Sequence, residues 1–86
     1  MRVEYDASAN MAYIYLLDKI NPGEAVQQVV AGEDTTAILD YDSQGRLLGI
    51  ELFSARRQLH PNLLAIAERI DREPRSPAPS AETAGA

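Results

Sequence analysis

The 86-residue chain has no cysteine, no tryptophan and a single histidine. Without cysteine there are no disulfide staples, no thiolate metal sites and no thiol nucleophiles, which suits a reducing compartment. One histidine leaves zinc and other transition metals short of ligands. No run approaches the roughly 18 apolar residues of a membrane span, and MRVEYD has no apolar signal segment behind it. From these gaps a soluble, cytoplasmic protein is expected.

Positive charge is also scarce. Eight Lys and Arg face thirteen Asp and Glu, for a net charge of −5, whereas a general nucleic-acid binder leans the other way. Residues 1–53 hold nine of the acids and three of the bases. The cations concentrate afterwards at Arg56, Arg57, Arg69, Arg72 and Arg75. A solvated helix face accounts for them, and nucleic-acid binding through Arg56, Arg57, Arg69 and Arg72 is the weakest functional reading.

What is present is β-prone. RVEYD (2–6) alternates and runs into the turn-like ASAN, and MAYIYLL (11–17) carries apolar residues on both faces, as a central or covered strand does. Pro22-Gly23 marks a turn before a strand at 24–31 whose glutamines suggest exposure. Strands at 35–42 and 46–53 pair across Ser43-Gln44-Gly45. After Phe53 the period becomes helical, with Ser54 as an N-cap, a break at His60-Pro61, and Leu63, Ile66, Ala67 and Ile70 at helical spacing. The expectation is an α+β domain over residues 1–73. It is an antiparallel meander of about five strands followed by one or two helices packed by Leu59, Leu63, Ile66 and Ile70. From Pro74 the chain reads PRSPAPSAETAGA, a composition expected to stay disordered.

LDYDSQGRLLGIEL (39–52) places Asp40, Asp42, Gly45 and Glu51 where an EF-hand loop has its first, third, sixth and twelfth residues. Strand flanks and Gln44 at the fifth position argue for a hairpin turn, with Gly45 at positive φ and Asp42 bonding the turn backbone. Asp40, Asp42 and Glu51 therefore stand only as weak metal candidates. Glu4 and Asp6 join them as scattered acids that solubilise a sheet. His60 sits before a proline, where capping the next helix or simple exposure accounts for it, and Tyr5, Tyr13, Tyr15 and Tyr41 read as half-buried packing residues with hydroxyls at the rim. No residue is assigned as catalytic, and no cofactor is expected.

VEYDASANMAYIYL, ILDYDSQGRLLGIEL and FSARRQL, in that order, resemble the small bacterial and archaeal proteins grouped as domain of unknown function 2283, over about residues 1–59. The resemblance implies a mostly antiparallel β domain with a short helical close and no established activity. Members are sometimes encoded beside small toxin-like proteins, which implies an antitoxin-like or partner-binding role. The family's acids correspond to Asp6, Asp40, Asp42 and Glu51, and no catalytic role comes with them. Two functions stand open: a non-enzymatic interaction module that meets a basic protein partner, or a small enzyme or metal-binding domain using the acids of the 40–51 hairpin. Apolar residues exceed what one buried sheet face needs, so a homodimer is expected.

Overall fold

A computed structural model describes residues 1–34 and 36–71, so the expected tail at 74–86 lies outside the described residues. Six strands and two short helices follow in order: β1 (Arg2–Asp6), β2 (Met11–Tyr15), β3 (Gln27–Ala31), β4 (Ala37–Tyr41), β5 (Leu47–Phe53), α1 (Ala55–Gln58), α2 (Pro61–Ile66) and β6 (Glu68–Arg69). The class is α+β. All six strands belong to one mixed sheet, ordered β3-β4-β5-β2-β1-β6.

That order corrects the expected meander. Strands β1 and β2 form one hairpin and β3, β4 and β5 a three-stranded unit, but β2 pairs with β5, from Met11↔Phe53 to Tyr15↔Gly49. The two units join through their most apolar strands: MAYIY has no charged residue and LLGIELF only Glu51, and each gains a neighbour on both sides. Segment 16–26 then carries the chain from mid-sheet to the edge, with the Pro22-Gly23 turn delaying β3 until Gln27.

A second correction concerns the C-terminal helix, which stops at Ile66. Ala67 is extended (φ −69°, ψ 151°), and Glu68–Arg69 pair in parallel with Glu4 and Tyr5. The Ile70 N–H donates to the Tyr5 carbonyl at 3.0 Å. The free side of β1 offered hydrogen bonds that a solvent-exposed helical turn could not match, so the chain turned extended there. Ile66 and Ile70, expected as packing residues, are 81% and 52% exposed. Leu59 packs against the core as expected, and Leu64 packs there in place of the two isoleucines.

Ser54 is not the cap its sequence position suggested. It adopts a left-handed conformation (φ 53°) and makes no side-chain capping bond. Asn10, itself left-handed at φ 55° in the β1–β2 turn, takes that role from a distance. Its carbonyl accepts from Ala55 N–H at 3.0 Å and its Oδ1 from Arg56 N–H at 2.9 Å. The helix is thus fixed to the hairpin it packs on. His60 does cap α2, its Nδ1 accepting from Asn62 N–H at 3.0 Å.

Period-two alternation divides the sheet into two faces. The apolar one carries Val3, Tyr5, Ala12, Ile14, Ile50, Leu52, Ala37, Leu39 and Val29. Among the described residues Tyr5, Ala12, Leu48, Leu52 and Ala55 are the buried hydrophobics, and Ala7, Leu59, Leu64 and Ala67 pack around Tyr5, Ala12 and Ala55. Helix α1 lies against β2 and β5. Away from it the same face is open: Leu39 and Ile50 are half-buried, and Val29 is 40% exposed.

Candidate functional site

The opposite face is the more polar one, and it carries Glu4, Asp40 and Glu51 of the acids singled out in the sequence. One row across it reads Gln28, Asp40, Gly49, Tyr15, Arg2, and the next Val30, Ile38, Glu51, Tyr13, Glu4, Glu68. Tyr13 leans diagonally between rows. Its hydroxyl donates to Asp40 Oδ2 at 2.6 Å, while Gln28 Nε2 donates to Asp40 Oδ1 at 2.9 Å. Asp40 is 7% exposed, the one buried charged residue among those described, and both its oxygens are occupied. Such satisfaction is what lets a carboxylate be buried at all.

Gly49 makes the arrangement possible. A Cβ there would sit 2.7 Å from Tyr13 Cε2 and Cζ and closer still to the hydroxyl. A glycine inside a strand commonly marks such a close approach, and here the approaching group is a tyrosine ring.

Tyr15 builds a second cluster beside the first. Its hydroxyl donates to Glu4 Oε1 at 2.9 Å, Arg2 Nη1 donates to Glu4 Oε2 at 2.7 Å, and the Arg2 guanidinium lies 3.9 Å above the Tyr15 ring. The Tyr13 and Tyr15 rings meet edge to face, centroids 4.7 Å apart. Burial, and then the bond to Asp40, push the Tyr13 phenol well above its ordinary range; burial and Glu4 raise Tyr15 likewise. Both hydroxyls therefore remain donors at neutral pH, the opposite of what a tyrosine base or nucleophile requires.

The other candidates are placed apart. Asp42 closes the β4–β5 turn: its Oδ1 accepts from Gln44 and Arg46 N–H, each at 2.9 Å, and Arg46 Nε donates to Oδ2 at 2.9 Å. Those bonds, led by the Arg46 amide, hold its carboxyl below the usual range. Gly45 supplies φ 77° in the same turn. Glu51 lies back along the ladder opposite Ile38 and Tyr13. Among the described residues, no three of His, Asp and Glu come together as a metal ion would need. A hollow lined in part by Glu4, Asp6, Met11, Tyr13, Glu51 and Ile70 opens on this face. Arg69 pairs with Asp71 at 2.8 Å, whereas Arg56, which donates to the Ala7 carbonyl at 3.0 Å, and Arg57 are exposed; Arg72 lies outside the described residues.

The fold and these motifs coincide with a family match. Residues 2–56 match the family described as Protein of unknown function (DUF2283). The chain belongs to DUF2283. The matched span takes in all five long strands and ends in α1, so Tyr13, Asp40, Gly49 and Glu51 lie within the family region and α2 and β6 beyond it. No curated protein and no solved structure matches the chain. Among the described residues, no helix is long and apolar enough to cross a membrane.

Sequence reasoning missed the Tyr13–Asp40 pair, whose members are 27 positions apart. The available signal was Gly49, an isolated glycine in the apolar strand LLGIELF.

Proposed function

We propose that this DUF2283 protein is a non-enzymatic interaction module that pairs with a second copy through the open half of its apolar sheet face and presents an acidic surface to a basic protein. One observation carries the reading: the helices gather on the β1–β2–β5 side, leaving Val29, Leu39 and Ile50 on an incompletely covered apolar face. A buried set of five, two of them alanines, is small for a domain of this size. Covering the open half with a second subunit is the ordinary remedy.

Enzymatic and metal-binding readings find less support. Asp40 gives its oxygens to Tyr13 and Gln28, and Asp42 gives its own to the turn, so neither carboxylate is poised to take a proton or an ion. The acidic face instead suits a partner of opposite charge, by the complementarity that steers association. An antitoxin-like role, with a small basic toxin as that partner, is a special case of the same reading. Co-purification from the native host at low salt tests it. A stoichiometric basic protein that leaves as salt rises is expected; an intact domain recovered alone would contradict it.

A further inference from the structure

We propose that the free edge of β3 is a strand-addition site for an extended segment of another protein, uncharged in its middle and basic at both ends. The inference rests on the interaction-module reading and specifies its heterologous partner.

The two edges of the sheet differ. On one side lies β6, two residues long and built of Glu68 and Arg69, which is how natural sheets blunt an edge. On the other side lies β3, five residues with Gln27 to Val30 exposed and, among the described residues, one backbone side without a strand partner. Ala25 to Ala31 reads AVQQVVA, without a charge, a lysine or a proline. Among the described residues, β3 has none of the usual edge protection. Val29 and Val30 are 40% and 58% exposed and point to opposite faces, so an added strand would find an apolar neighbour on each side.

Charge decides the occupant. Glu24 stands before the strand, Glu33 and Asp34 follow it, and residues 20–45 contain five acids and no Lys or Arg. Glu24 accepts from the Asn21 N–H through one oxygen at 2.9 Å, which leaves its second oxygen outside that bond. A second copy pairing antiparallel along β3 would bring Glu24 of one chain toward Glu33 and Asp34 of the other; pairing in parallel would set each acidic end against its equal. Like charges at both ends disfavour either arrangement. Lys or Arg at both ends of an incoming strand reverses the sign. Backbone bonds along five residues would supply affinity, and the flanks would supply selectivity and register.

The test uses the full chain and two synthetic peptides, each with a Val-Thr-Val-Thr-Val centre, one flanked by lysine pairs and the other by glutamate pairs. Binding is followed by NMR shifts and by amide exchange across residues 27–31. The lysine-flanked peptide is expected to bind and to protect β3 amides, with affinity falling as salt rises. It should exceed the glutamate-flanked peptide by about tenfold, the yield of a few exposed charge pairs. The exposed double variant Glu33→Lys/Asp34→Lys should lose that preference or invert it. Equal binding of both peptides, binding without β3 protection, no binding to the folded chain, or concentration-dependent β3 protection without peptide would each overturn the edge site. A dimer through the apolar face that binds neither peptide would overturn this site alone and leave the self-pairing reading standing.

Discussion

Replacing Gly49 with alanine is expected to destabilise the domain by about 1.5–5.5 kcal/mol, although the change adds one methyl in a strand. Glycine at this position has no positive φ, so backbone preference alone would favour alanine, by about 0.4–1 kcal/mol through the unfolded chain. The new Cβ, however, would overlap the Tyr13 ring and hydroxyl. Tyr13 must swing away, and the overpacking costs about 1–3 kcal/mol. Swinging away also breaks the 2.6 Å bond to buried Asp40, a bond to a charged group of a kind that contributes about 1.5–3 kcal/mol. Urea unfolding followed by circular dichroism measures the sum, and a melting point lower by roughly 10 °C or more accompanies it. Tyr13→Phe alone should cost about 1.5–3 kcal/mol. Because both changes act on one bond, the double variant should cost less than the two added together. A Gly49→Ala protein as stable as wild type, or strict additivity with Tyr13→Phe, would refute the link from Gly49 to Asp40.

Alkaline pH should unfold the protein through the same pair. The folded Tyr13 phenol titrates above its unfolded value of 10.0, so its contribution is full below pH 10 and is lost as pH climbs beyond it. Stability should fall above pH 10, more shallowly in Tyr13→Phe, with tyrosinate absorbance as the readout. Acid acts from the other side. Asp6, held low chiefly by Ser8, and Asp42, held low chiefly by the Arg46 amide, give stability that is present above the ordinary carboxylate value of 3.8 and lost as pH drops through their lowered folded values. An acid titration of the melting temperature should show the decline, reduced in Asp42→Asn. Asn10→Ala should cost about 1–2 kcal/mol by removing the α1 cap and straining a left-handed position; Asn10→Gly, which keeps the backbone freedom, should cost less in the same denaturation assay.

The features that local chemistry decides were readable from the residues. Asp42-Ser43-Gln44-Gly45 announced the β4–β5 turn, and the structure has Asp42 accepting from the turn amides and Gly45 at positive φ. His60 before Pro61 announced a helix start. What depended on distant partners was not readable. Nothing in MAYIYLL tells β2 to pair with β5 rather than with the strand that follows it, since either neighbour satisfies an apolar strand. Leu63, Ile66, Ala67 and Ile70 kept helical spacing while the open side of β1 drew the chain into β6. Ser54 looked like a cap because capping is usually local, and Asn10 reached in from another turn. Asp40, grouped in sequence with Asp42 as a pair of turn acids, belongs with Tyr13 on the sheet, and only the folded register brings those two together.

The claim that the open apolar half of the sheet is a contact surface is tested most directly by sedimentation equilibrium across the micromolar range, on wild type and on Val29→Asp, which alters an exposed residue. A wild-type dimer at tens of micromolar, and a monomeric Val29→Asp with an unchanged circular dichroism spectrum, are the expected results. A wild-type protein that stays monomeric throughout that range, or a Val29→Asp protein that dimerises as tightly as wild type, would contradict the account.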